Sequence, residues 1–197
     1  MMNGDQSMTV HVNKIVGQCF YSLQNIKSIR LSLSTDATVT LVTRLICSRI
    51  DYCNIVFVGL QNSTIDRLQS VLHTAACIIT GVKVMFTSHL PRETLRWLPV
   101  TQRITFKLCP TIYKALHGMT PSYSADFCRP VAATHYRQRL RSATHGDLVV
   151  PRNRLELGKR AFTVAGPTAW NNLPLSVPLA PSITTFKTAF KKQVFSA

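Results

Sequence analysis

The sequence predicts a mainly α protein: a helical bundle at the front, then shorter helices and a small arginine-rich β/loop segment at the back. Three observations predict it. All ten prolines lie at or after Pro91, so the first ninety residues can carry long unbroken helices while the remainder must be segmented. In the front, apolar residues recur at steps of three and four, the period of one helix face. From Cys128 to Arg160 that period fades and arginine becomes dense. These shifts divide the chain into residues 1–90, a helical bundle, residues 91–127, connecting helices, and residues 128–197, a basic C-terminal segment.

The first helix is expected from Met8, Val12, Ile15, Cys19, Phe20, Leu23 and Ile26, with Ser7 available as its N-cap. Ser34, Thr35 and Asp36 open a second run through Val39, Val42, Ile46, Ile50 and Cys53, ending before Gly59. Leu41 and Leu45 lie on its other side, so this helix is expected to be buried on more than one face. Ser63-Thr64-Ile65-Asp66 resembles a capping box with Asp in place of Glu. Behind it Ile65, Leu68, Leu72, Ala75, Ala76 and Ile79 run to Gly81, whose freedom at positive φ suits a helix end. Three such helices make a small antiparallel bundle.

The back is expected to begin with a short helix around Pro91 to Leu95. Ile104, Leu108, Ile112 and Leu116 then recur at strict steps of four, closed by Gly118 and interrupted by Pro110, where a kink is expected. Only Leu148-Val149-Val150 reads as a strand. Two closing helices are expected over Phe162 to Trp170 and Ile183 to Phe195, the latter capped by Ser182 with Ile183, Phe186, Phe190 and Val194 on one face.

Charge narrows the partners. The chain has 23 Lys and Arg against 8 Asp and Glu, and 16 of those cations but only 4 of the acids fall after residue 90. Such an excess repels itself unless a polyanion is near, nucleic acid or less often an anionic membrane face; charge alone does not choose between them, but its bias puts the anion-facing surface in the second half. The longest uninterrupted apolar runs, such as Ile55 to Val58 and Ala75 to Ile79, are far short of the ~20 residues that cross a bilayer, and no charged-then-apolar signal peptide is read at the start, so none is expected. A soluble intracellular protein is expected, with nucleus and cytoplasm both open.

Catalytic signatures are sparse. No D-D or D-x-D element clusters carboxylates for two-metal chemistry, and no G-x-x-x-x-G-K-[ST], G-x-G-x-x-G or G-x-S-x-G element occurs. The six cysteines contain no C-x-x-C pair and the six histidines no H-x-x-x-H spacing, so buried reduced thiols and no metal or cofactor are expected. Basic residues carry more information. Arg137, Arg139 and Arg141 alternate, as do Arg152 and Arg154, so in extended backbone each set would line one face and grip successive phosphates. The competing reading is a solvated edge strand protected by charge. Tyr136, or Trp170 with Asn171 and Asn172, can stack on bases, although the apolar neighbours of Trp170 favour a core position.

Ordered blocks along the chain then suggest a family. Ser48-Arg49-Ile50-Asp51-Tyr52-Cys53-Asn54, Gly59-Leu60 and Arg67-Leu68-Gln69 form the first group. Ala75-Ala76, Thr80-Gly81, and Trp97-Leu98-Pro99-Val100 with Arg103-Ile104 and Phe106-Lys107 follow. Tyr113-Lys114-Ala115-Leu116-His117-Gly118, Pro121, Tyr123, Leu140-Arg141-Ser142, Val150-Pro151-Arg152, Arg160-Ala161-Phe162, Pro167, Trp170-Asn171, Leu173-Pro174 and Phe186-Lys187 complete the series. Over about 190 residues this order resembles the region C-terminal to the polymerase core, thumb and beyond, of non-LTR (LINE-type) retrotransposon reverse transcriptases. Cys77 departs from the arginine of the A-A-R block, and Cys109-Pro110 from an apolar helical pair.

The resemblance implies a piece of an RNA-directed DNA polymerase without the endonuclease and without the metal-binding aspartates, hence no enzyme by itself. The front would correspond to a thumb-like bundle on a template–primer duplex. Charge and resemblance together nominate Arg49, Arg67, Arg103, Lys107, Arg137, Arg139, Arg141, Arg152 and Arg154 as nucleic-acid-binding residues. The expected partner is RNA, DNA or a hybrid. The alternatives are a helical module docking onto a reverse transcriptase core, and a degenerate transposon-derived reading frame with no function.

Overall fold

The structure, a computed structural model, describes residues 4–52, 54–82, 95–135 and 141–196. It is mainly helical, and no strand occurs among the described residues. Residues Met1–Arg103 and Ile104–Ala197 form two compact units. The division falls inside the segment 91–127 read from the sequence as connecting helices. The short helix expected from Pro91 lies outside the described residues, except for Leu95.

The first unit holds α1 (Gly4–Ser28), α2 (Thr35–Val42), α3 (Ser48–Tyr52) and α4 (Asn62–Thr80). α1 buries Val12, Cys19, Leu23 and Ile26, the stripe its spacing announces, and packs on α4 and α2. It is already helical from Gly4, so Ser7 is an interior residue and not the cap. α2 starts where expected: the Ser34 hydroxyl accepts from the Ala37 N–H at 3.2 Å.

Between α2 and α3 the chain widens into a π turn, Thr43–Cys47. A four-residue step overshoots an α-helical turn by about 40°, and the wider turn absorbs this drift. Val42, Ile46 and Ile50 therefore all reach the core. Leu41 is only partly buried and Leu45 is exposed, so the expected second buried face is not there.

α4 buries Ile65, Leu68, Leu72, Ala75, Ala76 and Ile79, together with Val71. Each such large aliphatic side chain contributes about 1.5–3 kcal/mol relative to exposure. The helix begins at Asn62 behind Gln61, which makes no side-chain cap, so the predicted Ser63 capping box is displaced into the first turn. Gly81, at φ 72°, closes it and donates to the Cys77 carbonyl at 2.9 Å.

In the second unit, α5 (Val100–Leu116) contributes all but its first turn, followed by α6 (Ser122–Asp126), α7 (Arg141–Thr144), α8 (Glu156–Lys159), α9 (Phe162–Asn171) and α10 (Ile183–Ser196). α5 runs continuously through Pro110. Here no wide turn corrects the four-residue drift, so Ile104, Leu108 and Ile112 are buried while Leu116 has rotated to a half-buried position. Gly118, at φ 66°, ends α5, with Met119 donating to the Lys114 carbonyl at 2.8 Å.

Aromatic rings assemble this unit. Tyr113 of α5 meets Phe186 of α10 at 4.9 Å, Phe106 stacks on Phe190 at 5.6 Å, and Trp170 of α9 stacks on Phe186 at 5.7 Å. α9 meets α5 at Gly166, where a Cβ would lie 3.4 Å from Ile112, an ordinary van der Waals contact. Ser182 caps α10 by accepting from the Thr185 N–H at 3.1 Å.

The expected strand Leu148–Val150 does not form: Leu148 makes one isolated bridge to Pro130. Pro151 has no N–H to carry the pairing further at one end, and the chain coils into a tight turn at Val131–Ala133 at the other, so pairing stops after Val131→Asp147 and Val149→Arg129. Among the described residues of the arginine-rich segment the expected β part is thereby corrected to loop and short helix.

Candidate nucleic-acid interface

The nominated cations fall into different environments. Arg103, on the first turn of α5, is committed within the fold. Its Nη1 pairs with Asp51 Oδ2 at 2.8 Å, its Nε donates to the Leu98 carbonyl at 2.8 Å, and its guanidinium lies 5.9 Å from the Trp97 ring centre. With the Arg103 side chain only 14% exposed, this charge is spent on Asp51 and is not offered to a polyanion.

Arg49 and Arg67 are exposed but bend back onto α1. Arg49 reaches the Gln18 carbonyl and the Ser22 hydroxyl at 3.4 and 3.3 Å, and Arg67 donates to Asn13 Oδ1 at 2.6 Å. Exposed hydrogen bonds of this kind exchange with water or phosphate at little cost. Lys107 is exposed on α5. Arg152 and Arg154 are exposed in a stretch without regular secondary structure. Arg137 and Arg139 lie outside the described residues, as does Tyr136. Arg141 opens α7, so the alternating row does not continue through it in extended backbone.

Residues that carry the family resemblance meet each other in space. Asp51 and the buried Asn54 come from the S-R-I-D-Y-C-N block, Gln69 from R-L-Q, and Leu98, Val100 and Arg103 from W-L-P-V-x-x-R. Asn54 Nδ2 lies 3.5 Å from both Asp51 Oδ1 and the Arg103 carbonyl. Gln69 Oε1 accepts from the Val100 N–H at 2.9 Å, satisfying a donor that the first residue of a helix leaves open. In the second unit the Tyr113 hydroxyl donates to the Ala180 carbonyl at 2.9 Å. Asn171 accepts from the Leu148 N–H at 2.8 Å and donates to the Leu148 carbonyl at 2.9 Å, a clamp that replaces the missing ladder. Trp170 is 3% exposed and donates to the Gly146 carbonyl, so neither it nor Asn171 presents itself to a base.

Arg30 carries no block signal and no local pattern announces it. It nevertheless donates to the Ile78 and Ile79 carbonyls at 3.0 and 3.1 Å, and to Leu33 at 3.1 Å. A cation thus covers the last open carbonyls of α4, at the negative end of its dipole.

Among the described residues no group of three or more His, Cys, Asp or Glu is placed to hold a metal, and no helix is long and apolar enough to cross a membrane. Cys19, Cys47, Cys109 and Cys128 are buried free thiols, and Cys77 is partly so. Burial pushes all five thiols up, Cys109 to about 12, which keeps them protonated and poor nucleophiles at neutral pH. Set against known proteins, the chain matches no family model, no curated protein and no solved structure.

Proposed function

We propose that this chain is a non-catalytic nucleic-acid-binding segment, derived from the region after the polymerase core of a LINE-type retrotransposon reverse transcriptase, that holds its partner through phosphates. The observation that carries the reading is charge: residues 104–197 contain 13 Lys and Arg against 3 Asp and Glu. A surplus of that size on one compact unit favours a polyanionic partner. The ordered blocks support the origin, and their residues serve as fasteners, which suits a binding scaffold better than a reaction centre. Arg103 drops out of the binding set, and Arg49, Arg67, Lys107, Arg152 and Arg154 stay in it.

The experiment is a salt titration of the full chain on labelled RNA–DNA hybrid, duplex DNA and single strands. Binding through phosphates gives log K falling linearly with log salt, by about 0.9 per phosphate neutralised on a duplex. No binding at low salt, or an affinity indifferent to salt, refutes the reading.

A further inference from the structure

The second unit carries a second basic surface besides the arginine segment, and it is built by two helices. α5 and α10 pack through Phe106 on Phe190 and Tyr113 on Phe186. The partner numbers fall along α10 as they rise along α5, so the helices run in opposite senses. On α5, Lys107 and Lys114 each follow a seam residue by one position, about 100° round the helix axis. On α10, Lys187 and Lys191 each follow Phe186 and Phe190 in the same way. Two right-handed helices of opposite sense, offset in the same rotational direction, turn these four side chains to one side of the pair. All four are exposed.

The opposite side is occupied. Ile112 precedes Tyr113 as Lys114 follows it, and it is Ile112 that meets Gly166 of α9, while Trp170 of α9 stacks on Phe186. The lysines therefore lie on the face turned away from α9. Neither helix contains an aspartate or glutamate, so no carboxylate of their own opposes them.

We propose that this face, formed by Lys107, Lys114, Lys187 and Lys191, holds the phosphate backbone of a nucleic-acid duplex; the assignment rests on the nucleic-acid reading above. Seven residues separate the α5 pair and four the α10 pair, about 10 and 6 Å along the axes, a patch that reaches several phosphates of a duplex carrying one charge per ~1.7 Å of axis. A duplex fits better than a single strand. Phe106, Tyr113, Phe186 and Phe190 are engaged in the seam, leaving this face without their rings for an unpaired base to stack on. It fits better than a lipid surface too, because the rings of Phe106, Tyr113, Phe186 and Phe190 are turned into the seam and not to the lysine side, and interfacial binding needs an apolar side free.

The test compares the full chain with two variants, Lys107→Gln/Lys114→Gln/Lys187→Gln/Lys191→Gln and Arg152→Gln/Arg154→Gln, on a hybrid duplex, the matching single strand and phosphatidylserine vesicles. Circular dichroism and urea unfolding establish that each variant is folded. A quadruple Lys→Arg version, which keeps the charge, serves as the second readout and retains wild-type binding. Losing four phosphate contacts lowers the duplex salt slope by about 3–4, so that between 50 and 200 mM salt the wild type loses about 10²-fold more affinity than the Gln variant. The arginine variant changes the slope by no more than about 2. A wild-type protein that binds with a slope the lysine changes leave untouched overturns this assignment and leaves the nucleic-acid reading standing. Absence of any nucleic-acid binding overturns both. Loss of vesicle binding in place of duplex binding, or a single strand held more tightly through the same lysines, overturns the choice of partner.

Discussion

Replacing Arg103 by Met separates a fastener from a phosphate contact, because the two roles give opposite readouts. Met keeps most of the aliphatic length, so three interactions are lost with little change in packing: the Asp51 pair, the bond to Leu98 and the approach to Trp97. A hydrogen bond to a charged group contributes about 1.5–3 kcal/mol. Asp51 is 40% exposed, so water recovers part of that pair and its contribution falls at the low end. With about 1 kcal/mol for the Leu98 carbonyl and about 0.5–1 for the ring, Arg103→Met is expected to cost about 3 kcal/mol. Asp51→Asn, which keeps the shape and loses the charge, is expected to cost about 1 kcal/mol. Urea unfolding of both single variants and the double variant should give a coupling energy of about 1 kcal/mol. A coupling below about 0.3 kcal/mol, or a duplex-binding salt slope that falls by about 1 with stability unchanged, would refute the fastener.

Arg30→Met uncovers the Ile78 and Ile79 carbonyls at the end of α4 and is expected to cost about 2 kcal/mol in urea unfolding, with wild-type stability as the contrary result. Gly118→Ala is expected to cost about 1 kcal/mol through backbone strain alone, since φ is 66° and nothing lies within 4 Å of an added Cβ. Gly118→Asn, which tolerates that conformation better, should cost less, and equal losses for the two would point to a cause other than φ. Alkaline pH should destabilise the protein. The Cys109 thiol, pushed up to about 12 from 9.0, stays protonated in the fold while the unfolded chain releases its proton near 9. Stability from this group is therefore full below about pH 9 and falls by up to about 1.4 kcal/mol per pH unit as pH climbs toward 12. Urea midpoints between pH 8 and 11 should fall in the wild type and fall less in Cys109→Ala; parallel profiles would exclude Cys109 as the source.

Helix period and helix ends were legible in the residues because both are local. Val12, Cys19, Leu23 and Ile26, or Leu68, Leu72, Ala75 and Ile79, share a face whatever they pack against, and Gly81 and Gly118 relieve a strain set within one turn. Where a finer local signal misled, a neighbouring geometry won. The Ser63 capping box lost to a helix starting two residues earlier, and the Leu148 strand lost its ladder to Pro151, to the turn at Val131–Ala133 and to a side-chain clamp from Asn171.

By itself the sequence determined the mainly helical class, the placement of the long helices and the sign and bias of the charge, all of which follow from composition and from contacts no more than about four residues apart. Only the tertiary structure decided what individual charges do. Arg103 meets Asp51 across 52 residues and Arg30 meets Ile78 across 48, so identical guanidinium groups become internal fasteners at these positions and remain on the surface at Arg152 and Arg154. The lysine face likewise exists only because α5 and α10, far apart in the chain, pack in opposite senses through their aromatic rings and turn four side chains to the same side.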